Sequence, residues 1–131
     1  MNYINRTVDN ILKGKISIIQ LKYGFRYGFD AVFLAAFVNG FLQQNKKKDV
    51  LLADVGSGVG TISLIIAHKN EKVRVTAIEN NDQYLELAKE NMLNNNLQKQ
   101  IKILNSDILN INRDLFNTFD IVVSNPPFYK E

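Results

Sequence analysis

A chain of 131 residues is one domain's worth, and 46% hydrophobic with 22% charged residues describes an ordinary soluble globular protein. The absence of cysteine excludes disulfides and thiolate metal centres, and with a single histidine, His68, no metal site is expected. No apolar run is long enough to span a bilayer, "AVFLAAFV" (31–38) being far too short, and the N-terminus lacks a signal-peptide layout, so a cytoplasmic protein is expected.

The net charge of +3 is unevenly placed. Residues 1–49 carry eight Lys/Arg against three Asp, whereas 50–131 carry eight against ten Asp/Glu. Two readings stand side by side: a basic front half that meets a polyanion such as nucleic acid, or a solvated surface with a lysine-rich loop at 46–48.

In chain order, "ILKGKISIIQ" (11–20) alternates around Gly14 and predicts a short hairpin. "KYGFRYGFD" (22–30) is an aromatic, glycine-punctuated loop, after which Asp30 stands as an N-cap before the helix "AVFLAAFVNG". "VLLADVG" (50–56) is a continuous apolar run, hence a buried strand, followed by the helix "GTISLIIAHK" (60–69). "VRVTAIE" (73–79) is a second strand, and "DQYLELAKENMLNNN" (82–96) a helix with Asp82 as cap. "IKIL" (101–104) and "FDIVVSN" (119–125) complete four strands. Alternation at this spacing predicts an α/β fold: a Rossmann-like, doubly wound parallel sheet behind a short N-terminal hairpin and helix.

Such sheets bind ligands at the carboxyl ends of their strands. At the first tip, "DVGSGVG" (54–60), Gly56, Gly58 and Gly60 remove Cβ atoms, so exposed N–H groups and the next helix start can favour an anionic group; a plain glycine-rich turn is the competing reading. At the second, Glu79–Asn80, a carboxylate can accept from both hydroxyls of a ribose, although a lone Glu there is usually a cap or surface residue. At the third, Asp107 offers an acceptor for an exocyclic amine, with Ile108 and Leu109 as apolar contacts for a flat ring, or simply ordinary turn chemistry. Together the tips outline a pocket for a nucleoside with an amino-acid-like tail.

"DVGSGVG", "AIE", "SD" and "NPPF", in this order, resemble the motifs of class I S-adenosylmethionine-dependent methyltransferases of the amino-methyltransferase type. "LKGKISIIQLKYGFRYGFDAVFLAAFV" (12–38) is similar to the N-terminal region of bacterial tRNA adenine-N6 methyltransferases acting on valine tRNA. The resemblance implies S-adenosylmethionine as cofactor and RNA, in particular tRNA, as partner. It puts Asp54, Gly56, Ser57, Gly58 and Gly60 at the methionine end, Glu79 on the ribose, with Asn80 beside it, and Asp107 with Ile108 at the adenine. It also lets Tyr27 and Asp30 close over the methionine, and Asp30 could do this while capping its helix.

In "NPPF" the Asn125 side-chain carbonyl and the Pro126 backbone carbonyl can each accept one N–H of an exocyclic amine, drawing the nitrogen out of planarity and exposing its lone pair. Pro126 and Pro127 restrict φ and hold those carbonyls, while Phe128 offers a face for the base. Related enzymes that methylate a release-factor glutamine or an rRNA guanine N2 share the motif, the former usually with Tyr where this chain has Phe128. A cofactor-binding module without catalysis is the reading of another class.

The family's sheet has more strands than the four placed here. The chain is therefore expected to hold an extension (1–49) and only the N-terminal part of the methyltransferase domain (50–131). Strand 119–124 is then expected to be an exposed edge, so that the chain either self-associates through it or is only marginally stable.

Overall fold

The computed structural model describes residues 5–45 and 48–127. Strands β1 (Arg6–Ile11) and β2 (Ile16–Leu21) form the antiparallel hairpin, longer than its sequence signal because Arg6 to Ile11 pairs in full with Leu21 to Ile16. Helix α1 (Phe29–Gln44) follows, then β3 (Val50–Val55), α2 (Thr61–Lys69), β4 (Val73–Glu79), α3 (Asp82–Asn94), β5 (Ile101–Asn105), two 3-10 turns (Ile108–Asn110 and Arg113–Leu115) and β6 (Ile121–Ser124).

The last four strands make one parallel sheet in the order β5-β4-β3-β6. The chain steps outward from β3 through β4 to β5, then returns to lay β6 on the opposite side of β3. That reversal opens a crevice at the carboxyl end of β3, which is where such sheets bind ligands. Because every strand is parallel, the four tips read from the sequence lie along the same edge of the sheet.

Helix α2 is buried from Thr61 through Ala67, as its unbroken apolar run requires, and it packs against both α1 and β4. Helix α1 faces it with Ala31, Ala35, Val38 and Leu42, a stripe whose small residues permit close approach. Its other face carries Phe29, Phe33, Phe37 and Phe41, which are 53% to 82% exposed. Hairpin, helices and sheet share one core, in which Ile16, Ile18, Leu52, Leu64, Ile66 and Leu87 are fully buried, each stabilising the fold by roughly 1.5–3 kcal/mol.

Two helix starts differ from the sequence reading. Asn81, not Asp82, caps α3, its Oδ1 accepting from the Gln83 and Tyr84 amides at 3.0 and 3.3 Å. A cap must precede the first helical residue to reach the second or third amide, and Asp82 is already inside the helix. Gly28 precedes α1 with no side-chain cap, and Asp30 sits in the first turn, where its charge favours the positive end of the helix dipole.

Candidate functional site

At the carboxyl edge of the sheet lies a cavity of about 320 Å³. Its floor is the loop after β3 with the start of α2 (Asp54, Gly56, Ser57, Gly58, Val59, Thr61 and Ile62), and one wall is Glu79, Asn80, Asn81 and Tyr84. The opposite side is closed by Phe25, Tyr27 and Ala31, and Asn125 and Pro127 stand at the end of β6. Of the residues singled out in the sequence, Tyr27, Asp54, Gly56, Ser57, Gly58, Glu79, Asn80, Asn125 and Pro127 are thus brought together.

The loop works differently from the sequence expectation of free amides. Gly56 and Ser57 both donate to the Ile78 carbonyl (2.8 and 3.0 Å), and Gly60 donates to that of Ser57 (2.9 Å). The Gly58 amide donates to Glu79 Oε1 (2.9 Å). Three of these amides hold the loop against the end of β4 and the fourth closes the loop on itself, so an anionic group would meet the start of α2 instead. Glycine is needed for the shape: φ is +68° at Gly56 and +56° at Gly58, and a Cβ at either would meet no protein atom within 4 Å.

Glu79 is half-buried, and its Oε2 accepts from the Asn80 and Asn81 amides at 2.9 and 3.0 Å. Three backbone donors thus occupy three of the roughly four acceptor sites of a carboxylate. A single hydroxyl can join on Oε1 without loss, while a grip on two hydroxyls requires a backbone bond on Oε2 to yield.

Asp54 lies beneath the loop, 1% exposed, and accepts from Ser63 Oγ at 2.7 Å. Burial pushes its carboxyl up to about 6, against the lowering effect of the Ser63 hydrogen bonds and with a small upward push from the charge of Glu79. A raised carboxyl favours the folded state most when protonated, so its contribution to stability grows as pH falls through about 6 and is complete only below the unfolded value of 3.8. The wild type is expected to gain on the order of 1 kcal/mol from this group between pH 7.5 and pH 5. Urea unfolding at both pH values tests this, since Asp54→Asn should lack the increment. An equal increment in the variant would remove Asp54 as its source.

The front wall is built by the hairpin. Arg26 donates to Thr7 Oγ1 (2.8 Å) and the Leu21 carbonyl (2.6 Å) and pairs with Asp9 (3.1 Å), and buried Gln20 accepts from the Tyr27 amide (3.1 Å). Burial, followed by the Asp9 charge, raises the Tyr27 phenol above its ordinary value. Tyr84 Oη accepts from the Phe25 amide at 3.3 Å, so α3 and the aromatic loop meet over the cavity.

Asp30, Gly60, Asp107, Ile108 and Pro126 are not in the cavity wall. Asp107 Oδ1 instead caps the first 3-10 turn, accepting from the Leu109 amide at 3.0 Å. Ile108 lines a groove with Ala53, Val55 and Ile78 on the sheet. Phe128 lies outside the described residues. Phe25, Thr61, Asn81 and Tyr84 escaped the sequence reading, since an aromatic in a loop or first helical turn has no periodic signal.

Buried Ser57 Oγ and Thr61 Oγ1 have no hydrogen-bond partner, and both residues line the cavity. Unpaired buried hydroxyls, a glycine floor and one spare carboxylate position suit a polar, nucleoside-sized ligand. Among the described residues there is no cluster suited to a metal ion, and no helix is long and apolar enough to cross a membrane.

The methyltransferase small-domain family model matches residues 35–131. A tRNA1(Val) (adenine(37)-N6)-methyltransferase of Flavobacteriaceae bacterium (strain 3519-10) is 30% identical over 116 residues, covering 88% of this chain and 47% of that protein. A ribosomal RNA small subunit methyltransferase C of Buchnera aphidicola is 34% identical over 127 residues, 97% of this chain and 35% of that one. A release factor glutamine methyltransferase of Lactococcus lactis is 34% identical over 91 residues, 70% of this chain and 32% of that one. The chain thus spans less than half the length of these relatives. A solved SAM-dependent methyltransferase from Agrobacterium tumefaciens shares the fold, with a TM-score of 0.76 over 94% of this chain and 40% of that one at 16% identity.

Proposed function

The chain belongs to the methyltransferase small-domain family, and from that premise we propose that it takes part in methylating an exocyclic amine, adenine N6 of tRNA, with S-adenosylmethionine as cofactor. One observation carries the reading: the glycine loop, Glu79 and Asn125 border a single cavity at the switch point of the sheet. The cofactor supplies an electrophilic methyl on a sulfonium. Glu79 holds the ribose side through Oε1, and the start of α2 at Thr61 and Ile62 meets the polar tail. Tyr27 and Phe25 exclude water from the front, a role in which Phe25 joins the residues expected from the sequence.

Asn125, which borders the cavity, would accept one amine N–H, and the carbonyl of Pro126, a residue outside the cavity wall, would have to turn toward the site to accept the other. The bound cofactor would supply its methyl to the amine nitrogen, the sulfonium leaving as a neutral thioether and the amine proton passing to solvent. The tRNA and rRNA substrates in the names of two relatives favour RNA. Charge argues less strongly, because Arg6 pairs with Glu90 and Arg26 with Asp9, so two front-half cations are spent internally.

The test is methyl transfer from labelled cofactor to unmodified tRNA, run beside a release factor as competing acceptor and a calorimetric titration with S-adenosylmethionine. Label in the tRNA is expected; label only in the release factor would transfer the reading to glutamine. Binding without transfer to either would leave a cofactor-binding module.

The same reading includes association with a second copy through β6, whose described pairing is with β3 alone. Phe37 and Phe41, 77% and 53% exposed, line a groove beside that strand with Val122. Sedimentation equilibrium is expected to show concentration-dependent association that Phe37→Ser with Phe41→Ser reduces; a monomer at all concentrations would overturn it.

A further inference from the structure

The stretch "NMLNNN" (91–96) at the end of α3 is asparagine-rich, and the structure shows what two of these asparagines do. β1 pairs with one edge of β2, and the other edge faces α3. There Asn91 and Asn95 each accept from and donate to the same strand residue. Asn91 Oδ1 accepts from the Ile19 amide (2.7 Å) and its Nδ2 donates to the Ile19 carbonyl (3.0 Å). Asn95 does the same at Ser17 (2.9 and 2.7 Å). Two residues along a strand span about 6.8 Å and four along a helix about 6.0 Å, so two helical amides one turn apart can imitate a neighbouring strand.

The remaining Nδ2 protons part company. Asn95 spends its own on the Asn91 carbonyl within α3 (2.7 Å). Asn91, fully buried, donates to the Val59 carbonyl at 3.0 Å. Val59 sits between Gly58 and Gly60, both at positive φ, in the glycine loop of the cavity floor. β2 in turn leads into the loop that carries Phe25 and Tyr27 to the front wall.

We infer that Asn91 is a positioning residue that locks the front hairpin to the glycine loop and thereby sets the two walls of the cofactor site against each other. Asn95 anchors the same hairpin without reaching the loop. The inference rests on the cofactor reading above, and its test keeps the two apart.

S-adenosylmethionine affinity is measured by calorimetry on the whole chain, under conditions where circular dichroism shows each variant folded. Asn95→Ala is expected to change Kd less than about twofold, and Asn91→Ser to weaken binding roughly tenfold. With Phe25→Ala already in place, the Asn91→Ser penalty should fall below about threefold, because coupled groups do not add. Equal losses in the two asparagine variants, or additive losses with Phe25→Ala, would overturn the positioning role.

Should Asn91→Ser fail to fold, hydrogen exchange on the wild type decides: cofactor is expected to protect the Ile19 amide and leave the Ser17 amide unchanged, and equal protection would overturn the role. If the wild type binds no cofactor, the cofactor reading falls. Asn91→Ser should then still speed exchange in the Gly58–Ile62 and Lys22–Gly28 segments together, and unchanged exchange there would remove the lock.

Discussion

Asn125→Ala is expected to lower the methyl-transfer rate by roughly 10²–10³-fold, the range seen when one preorganised polar group is removed from the reacting centre. The adenine amine is a weak nucleophile because its lone pair is delocalised into the ring. Two acceptors at fixed angles correct this only if neither relaxes during reaction. Asn125 follows β6 directly and borders the cavity, while β6 is tied in parallel to β3 through Val55 opposite Ser124. Prolines at the next two positions bar the helical region to Asn125 and Pro126, so the strand direction is carried into the site. The variant should keep cofactor affinity within about threefold, because the role proposed for the lost group is toward the acceptor amine and not the ribose. Single-turnover rates with unmodified tRNA, beside calorimetry with the cofactor, measure both. A rate within threefold of wild type would end the catalytic assignment of Asn125.

Glu79→Ala should weaken S-adenosylmethionine binding by roughly ten- to a hundredfold, the value of a hydrogen bond to a charged acceptor. A structural loss comes with it. Gly58, Asn80 and Asn81 would lose their shared acceptor, and of these Gly58 belongs to the cavity floor. The cost to stability is expected at about 1–3 kcal/mol, less where water reaches the Asn80 amide. Glu79→Gln separates the two effects. Its single carbonyl can serve Gly58 or the Asn80–Asn81 pair but not both, and its NH₂ group then faces a backbone donor. The variant should therefore sit between wild type and Glu79→Ala in both affinity and urea midpoint. Unchanged affinity in Glu79→Ala would break the assignment of this wall to the cofactor.

Much of the architecture was legible from local pattern. A continuous apolar run marked β3, and strand–helix alternation implied parallel pairing. Parallel pairing in turn placed Asp54, Glu79 and Asn125 at one edge of the sheet, because every strand of such a sheet ends on the same side. The expected open edge at 119–124 corresponds to the unpaired side of β6 among the described residues. Residue chemistry told the rest of that story: glycines where φ is positive, prolines after the last strand.

What local pattern could not determine is which donor meets which acceptor across the fold. Glycine-loop amides that look free in the sequence are taken up by Ile78 and Glu79, since the register of β3 on β4 brings those groups beneath them. Asp107 turns to its own 3-10 amide because a partner two residues away is met first. Arg26 gives its charge to Asp9, and Asn91 reaches both Ile19 and Val59, across 72 and 32 residues of chain. By itself the sequence determined the order of elements and the edge on which ligands collect, because both follow from periodicities within a few residues. Only the tertiary structure decided which polar groups at that edge remain to meet a ligand, because hydrogen bonding there is settled between segments far apart in sequence.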